Sequence, residues 1–134
     1  MMSDENVELT RRGYAAFVRG DIEGILDILD PDVEMSDPFG FSTTDAYHGH
    51  DGFVQTVRDG LEAFERYEIE TDEFIDAGDD VVVVGLRLSG RGKASGVEVD
   101  MPRWNLYRIR DGLAIRVELF ETEAEALEAA GLGD

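Results

Sequence analysis

The sequence predicts an α+β domain in which helices pack on one face of a curved antiparallel sheet. Apolar residues recur at helical spacing through the first half of the chain and alternate with a period of two through the second half. Turn pairs such as Asp111-Gly112 join the later strands as tight hairpins, which sets neighbouring strands antiparallel. The 134 residues, without repeat or linker, suit one domain spanning residues 1–134.

Residues 3–19 read as the first helix, with Ser3 as cap, Asp4 and Glu5 in the positive first turn, and Val7, Arg11, Tyr14 and Val18 on one face beside Phe17. Gly20-Asp21 interrupts it. Asp21 caps a short helix carrying Ile22, Ile25, Leu26 and Leu29, which Pro31 closes. Val33 and Met35 alternate with polar neighbours as a short strand running into Asp37-Pro38-Phe39-Gly40. After a loop over 39–50, a third helix is expected at about 51–66, capped by Asp51 and striped by Phe53, Val57, Leu61 and Phe64. The meander follows as 68–77, 81–88, 97–110 and 113–120. Thr122-x-x-Glu125 forms a capping box for a last helix that Gly131 ends.

Charge restricts the function. Acidic residues number 31 against 12 basic ones, a net charge of -19, and this argues against a partner whose affinity comes from phosphates. Anionic membrane surfaces are disfavoured for the same reason. Without cysteine there is no disulfide framework, thiolate nucleophile or cysteine-based zinc site. The polar start of the chain and the lack of a long apolar run lead to the expectation of a cytoplasmic protein.

In 97–110 one face carries Val97, Val99, Met101, Arg103, Asn105, Tyr107 and Ile109, and the other carries Trp104, Leu106 and Arg108. In 113–120, Ile115, Val117 and Leu119 share one face and Arg116, Glu118 and Phe120 the other. Faces that mix apolar and a few polar groups either line a small-molecule pocket or lie half exposed. Trp104, Leu106, Ile115 and Val117 are assigned to an outer face in need of cover, which a second copy of the chain would supply as a homodimer.

The order of elements, Gly20-Asp21, Asp37-Pro38-x-Gly40, the Asp111-Gly112 hairpin and the Arg116-x-Glu118-x-Phe120 strand together resemble the nuclear-transport-factor-2-like superfamily. The branch is similar to the SnoaL-like proteins, which are related to polyketide cyclases, ketosteroid isomerase and limonene epoxide hydrolase. The resemblance implies a cystatin-like, cone-shaped barrel: a sheet wrapped around three N-terminal helices with one deep apolar cavity. It implies a small hydrophobic carbonyl ligand, acid–base chemistry of isomerase, cyclase, dehydratase or hydrolase type, and no cofactor. The fold also hosts non-catalytic binding and dimerisation modules, and accessory subunits.

Asp37 takes the position of the isomerase's catalytic base; a carboxylate at the mouth of an apolar cavity is suited to abstract a proton beside a carbonyl. The alternative is an Asp-Pro turn. Asn105 takes the place of the isomerase's hydrogen-bonding acid and donates at any pH. The isomerase's helix-one tyrosine falls on Gly13, with Tyr14 one residue away. Glu118, with Arg116 and Arg103, reads either as a cluster that activates water or orients the ligand, or as a cross-strand ion pair. Tyr14, Phe17, His48, Arg103, Tyr107, Arg116 and Phe120 complete the ligand-binding set. His48 and His50 with Asp45 and Asp51 are the nearest approach to a metal cluster; the reading preferred is His48 at the cavity rim with no metal.

Overall fold

The computed structural model of the protein describes residues 3–36 and 47–132. Asp37, Pro38, Phe39, Gly40 and Asp45 lie outside the described residues. The first helix, α1 (Ser3–Arg19), carries Asp4 and Glu5 in its first turn and Arg19 in its last, in line with the helix dipole. Its buried stripe is Asn6, Leu9, Thr10, Gly13 and Ala16, rotated from the expected one; Val18 is 75% exposed. Close approach sets this rotation. A Cβ on Gly13 would lie 2.5 Å from Ile28 Cδ1, so α1 packs through its smallest residues. Asp21 caps α2 (Ile22–Leu26) by accepting from the Gly24 N–H at 3.0 Å.

That helix is shorter than expected because the chain is already extended in β1 (Leu29–Met35), which runs through Pro31. Proline has no N–H for a ladder, and the pairing of β1 with the last strand is irregular between Leu29 and Glu34. A two-residue strand, β2 (Tyr47–His48), pairs with Met35 and Glu34 where only loop was expected. The helix α3 (Gly49–Ala63) begins at His48 without a side-chain cap, so Asp51 sits in its first turn rather than capping it. Its buried residues are Phe53, Thr56 and Gly60, while Leu61 is 56% exposed.

The meander comprises β3 (Phe64–Gly78), β4 (Val81–Gly92), β5 (Glu98–Arg110) and β6 (Leu113–Phe120). The sheet order is β2-β1-β6-β5-β4-β3, antiparallel except that β1 runs parallel to β6. The hairpin residues Asp79 and Asp80, and Asp111 and Gly112, all have positive φ, as a turn matching strand twist requires.

Both faces of the central strands are covered. Val82 and Val84 point into the main core with Leu9, Ile28, Val33 and Phe53. Val81 and Val83 point the other way, packing with Leu106 and with Ala126 of the C-terminal helix α4 (Glu123–Ala129). Of the apolar outer stripe, Leu106 is fully buried beneath α4, and Trp104, half-buried like Phe120, packs beside it. Trp104 lies over Gly85, where a Cβ would meet its ring at 2.5 Å.

Thr122 caps α4, its hydroxyl accepting from the Glu125 N–H at 3.2 Å and donating to the Glu125 carboxylate at 3.0 Å. Thr122→Ala is expected to cost about 1 kcal/mol, read as a lower urea midpoint at unchanged slope. Among the described residues no helix is long and apolar enough to cross a membrane.

Candidate functional site

The side of the sheet facing the helices encloses a cavity of about 120 Å³. Its walls are mostly apolar: Ile25, Ile28 and Leu29 on one side, Phe53 and Val57 of α3 on another, and Leu86 and Leu88 of β4 across from them. Thr10 and Thr56 also line it, but each hydroxyl donates to a carbonyl of its own helix, Val7 at 2.8 Å and Phe53 at 2.6 Å. They therefore present methyl groups more than polarity.

The polar character comes from α1 and β5. Arg103, Asn105 and Tyr107 alternate along the inner face of β5, opposite Leu86, Val84 and Val82 of β4. Tyr14 descends from α1 to meet them. Asn105 Nδ2 donates to the Tyr14 hydroxyl at 3.0 Å, and the Tyr107 hydroxyl donates to the same oxygen at 2.5 Å. One phenol proton lies between the two hydroxyl oxygens, which leaves the pair one further proton to donate into the cavity. Edge-to-face contacts with Phe74 and Tyr107, each at 6.1 Å between ring centres, fix the Tyr14 ring.

Burial, reinforced by the neighbouring Tyr107, pushes the Tyr14 hydroxyl well above its ordinary pKa. Burial pushes Tyr107 up to about 12. Both are neutral donors at physiological pH.

Phe17 lines the cavity and packs against Tyr67 at 6.0 Å. Arg103 lines it too, with Nη1 donating to the Pro102 carbonyl at 2.9 Å and Nη2 against Met101 Sδ at 3.2 Å. Tyr14, Phe17, Arg103, Asn105 and Tyr107 are thus brought together. Gly13 lines the cavity as well, and Tyr14 is the residue that carries a hydroxyl there.

Glu118, Arg116 and Phe120 are not part of this assembly. A two-residue turn at Asp111-Gly112, continued regularly, would set Asn105 opposite Glu118. The ladder instead shifts by one residue: Ile109 pairs with Ala114 but Arg108 with Arg116, leaving Ile115 as the extra residue of a bulge. Asn105 then faces Leu119, and Tyr107 faces Val117.

Every side chain beyond the bulge changes face relative to that expectation. Val117 and Leu119 line the cavity rather than the outer surface. Glu118 lies beside Leu106 on the outer face, where it joins Arg108 at 3.1 Å and Arg116 at 3.2 Å. Arg116 also reaches Glu34 at 3.3 Å, and Phe120 packs with Trp104 near α4. This is the cross-strand ion-pair reading of Glu118.

His48 is exposed at the start of α3, away from the cavity lining, and His50 Nε2 sits 2.9 Å from the Leu29 carbonyl oxygen. Among the described residues no three His, Asp or Glu side chains gather as a metal site. Thr10, Met35, Ser36, Tyr67 and Leu119 line the cavity and were not anticipated. The signal for the first was available: Thr10, Gly13, Tyr14 and Phe17 follow the i, i+3, i+4, i+7 spacing of one helix face.

Solved structures share this architecture. A protein of unknown function from Burkholderia pseudomallei, described as NTF2-like, superimposes with a TM-score of 0.76 at 26% identity, covering 92% of this chain and 95% of that one. TerC, co-crystallised with polyporic acid, gives a TM-score of 0.74 at 26% identity, covering 95% and 98%. An uncharacterised protein of Mycobacterium tuberculosis is 26% identical over 130 residues, 96% of this chain and 98% of its own. N-terminal helices packed on a curved mixed sheet make this an NTF2-like domain. Residues 10–117 match the SnoaL-like domain, and the chain belongs to that family.

Proposed function

We propose that the protein binds a small, largely apolar molecule bearing a carbonyl or hydroxyl oxygen and performs acid–base chemistry beside that oxygen without a cofactor. The observation that carries this reading is the hydrogen-bonded Tyr14–Tyr107 hydroxyl pair, held with Asn105 in an apolar cavity, which keeps one phenol proton to donate. A preorganised donor in a low-dielectric site favours negative charge developing on a ligand oxygen, as in isomerisation, aldol-type cyclisation, dehydration or hydrolysis. Family membership supports a small-molecule or cyclase-type role, and TerC, at 26% identity, was co-crystallised with an organic compound.

Asp37 is the proposed base. It follows Ser36, which lines the cavity and whose N–H is held by the Val117 carbonyl at 3.0 Å. One observation favours the competing reading of binding without turnover: none of the described lining residues is a carboxylate or an imidazole.

Mass spectrometry of denatured protein purified from its source would identify a retained compound, and turnover of that compound and close analogues tests the assignment. Asp37→Asn is expected to lower turnover about 10²- to 10⁴-fold with binding retained. Equal turnover by the variant removes Asp37 as base; binding with no turnover by the unaltered protein establishes the competing reading.

A further inference from the structure

Five arginines form no ion pair among the described residues, and of these Arg12, Arg58, Arg66 and Arg110 are exposed while Arg103 is half-buried. With 31 acidic side chains available, Arg87 pairs with Asp100, Arg91 with Glu65, and Arg108 and Arg116 with Glu118. Arg103, half-buried in the cavity wall, has no carboxylate partner among the described residues. Among the described residues its Nη1 and Nη2 meet a carbonyl and a thioether, and its buried Nε has no partner. A buried N–H of a cationic group left unpaired is costly, and low-dielectric surroundings such as Leu86 and Leu88 strengthen any anion's attraction to it.

A second buried atom is also unpartnered. Asn105 Oδ1, on the same strand face two residues away, is an acceptor without a donor. Alternate residues of a strand lie roughly 7 Å apart, so the inner face of β5 presents an anion anchor at one position and a hydroxyl pair at the next. A ligand oxygen beside Asn105 can accept the proton left on the Tyr14–Tyr107 pair.

We infer that the ligand is an acid: Arg103 holds a carboxylate, or an equally ionised enol or phenol oxygen, while a second oxygen at the far end of an apolar body sits between Tyr14 and Asn105. This inference rests on the cavity reading above and narrows its ligand to hydroxylated or carbonyl-bearing organic acids. Charge at Arg103 then fixes the direction in which the molecule lies.

The test compares p-coumarate with its uncharged methyl ester by calorimetric titration of the unaltered protein, Arg103→Met, Arg103→Lys and Tyr14→Phe. The unaltered protein is expected to favour the acid by tenfold or more. Arg103→Met should weaken the acid by about ten- to a hundredfold and leave the ester unchanged, while Arg103→Lys should keep part of the preference. Acid and ester binding equally to the unaltered protein overturns the anchor; so does an Arg103→Met loss that is the same for both. Ester binding that is lost in Tyr14→Phe, with no preference for the acid, sinks the anchor and preserves the cavity reading. Failure of both probes to bind overturns both.

Discussion

Tyr14→Phe is expected to lower turnover of the cognate compound by about 10²- to 10³-fold, the usual loss when one oxyanion donor is removed. The loss should fall on kcat more than on KM, because the bond from the proton of the Tyr14–Tyr107 pair strengthens as charge develops on the ligand oxygen. The ring itself stays wedged against Phe74 and Tyr107. Removing the hydroxyl does, however, strand the Asn105 Nδ2 and Tyr107 donors that it accepts from. The variant should therefore also lose about 1–3 kcal/mol of stability, which thermal unfolding measures separately from the rate.

The same cluster gives a pH signature. Tyr107 is pushed up to about 12 in the fold, above the usual tyrosine value, so its neutral form is the one the fold favours. That contribution is fully present below about pH 10 and is lost as pH rises from there through its folded value of about 12. Ultraviolet titration should show Tyr14 and Tyr107 ionising last. Ionisation of either at ordinary tyrosine pH in the folded protein contradicts the buried cluster.

Leu106→Ala is expected to cost about 2–5 kcal/mol, the other large effect. Leu106 is fully buried on the outer face, against Val81, Val83 and Ala126, and has no solvent into which its void can open. Equilibrium denaturation checks it. Because α4 and the sheet share this cluster, the variant should also release α4, visible as faster amide exchange over Glu123–Ala129. A cost below 1 kcal/mol would mean that α4 does not seal this face.

Much of the fold was legible because periodicity is a local property. The extent of α1 and of β6, the cap at Asp21 and the Asp111-Gly112 hairpin follow from residues within a few positions of one another. Apolar periodicity does not reveal the buried stripe of α1, because that stripe includes Asn6, Thr10 and Gly13, which are not apolar; Gly13 is buried for close packing against Ile28. Pro31 reads locally as a helix end, whereas β1 absorbs it at an irregularity in its pairing.

The candidate site shows the same division. Arg103, Asn105 and Tyr107 share a face because they share a strand, and that needed no knowledge of the partner strand. Glu118 depended on register across a hairpin, and one unpaired residue at Ile115 reversed its side. No local feature of the Leu113–Phe120 segment announces that bulge.

The chain's single tryptophan is Trp104, and it lies on the outer face over Gly85 beside Phe120, a strand's thickness from the cavity. The molecule therefore carries its single tryptophan on the side away from the cavity. Emission follows the seating of α4 and is silent to direct contact with anything lodged among Tyr14, Asn105 and Arg103. A spectral change on ligand addition would consequently report motion conducted through β5 itself, because Trp104 and Asn105 are consecutive residues turned to opposite sides of one strand.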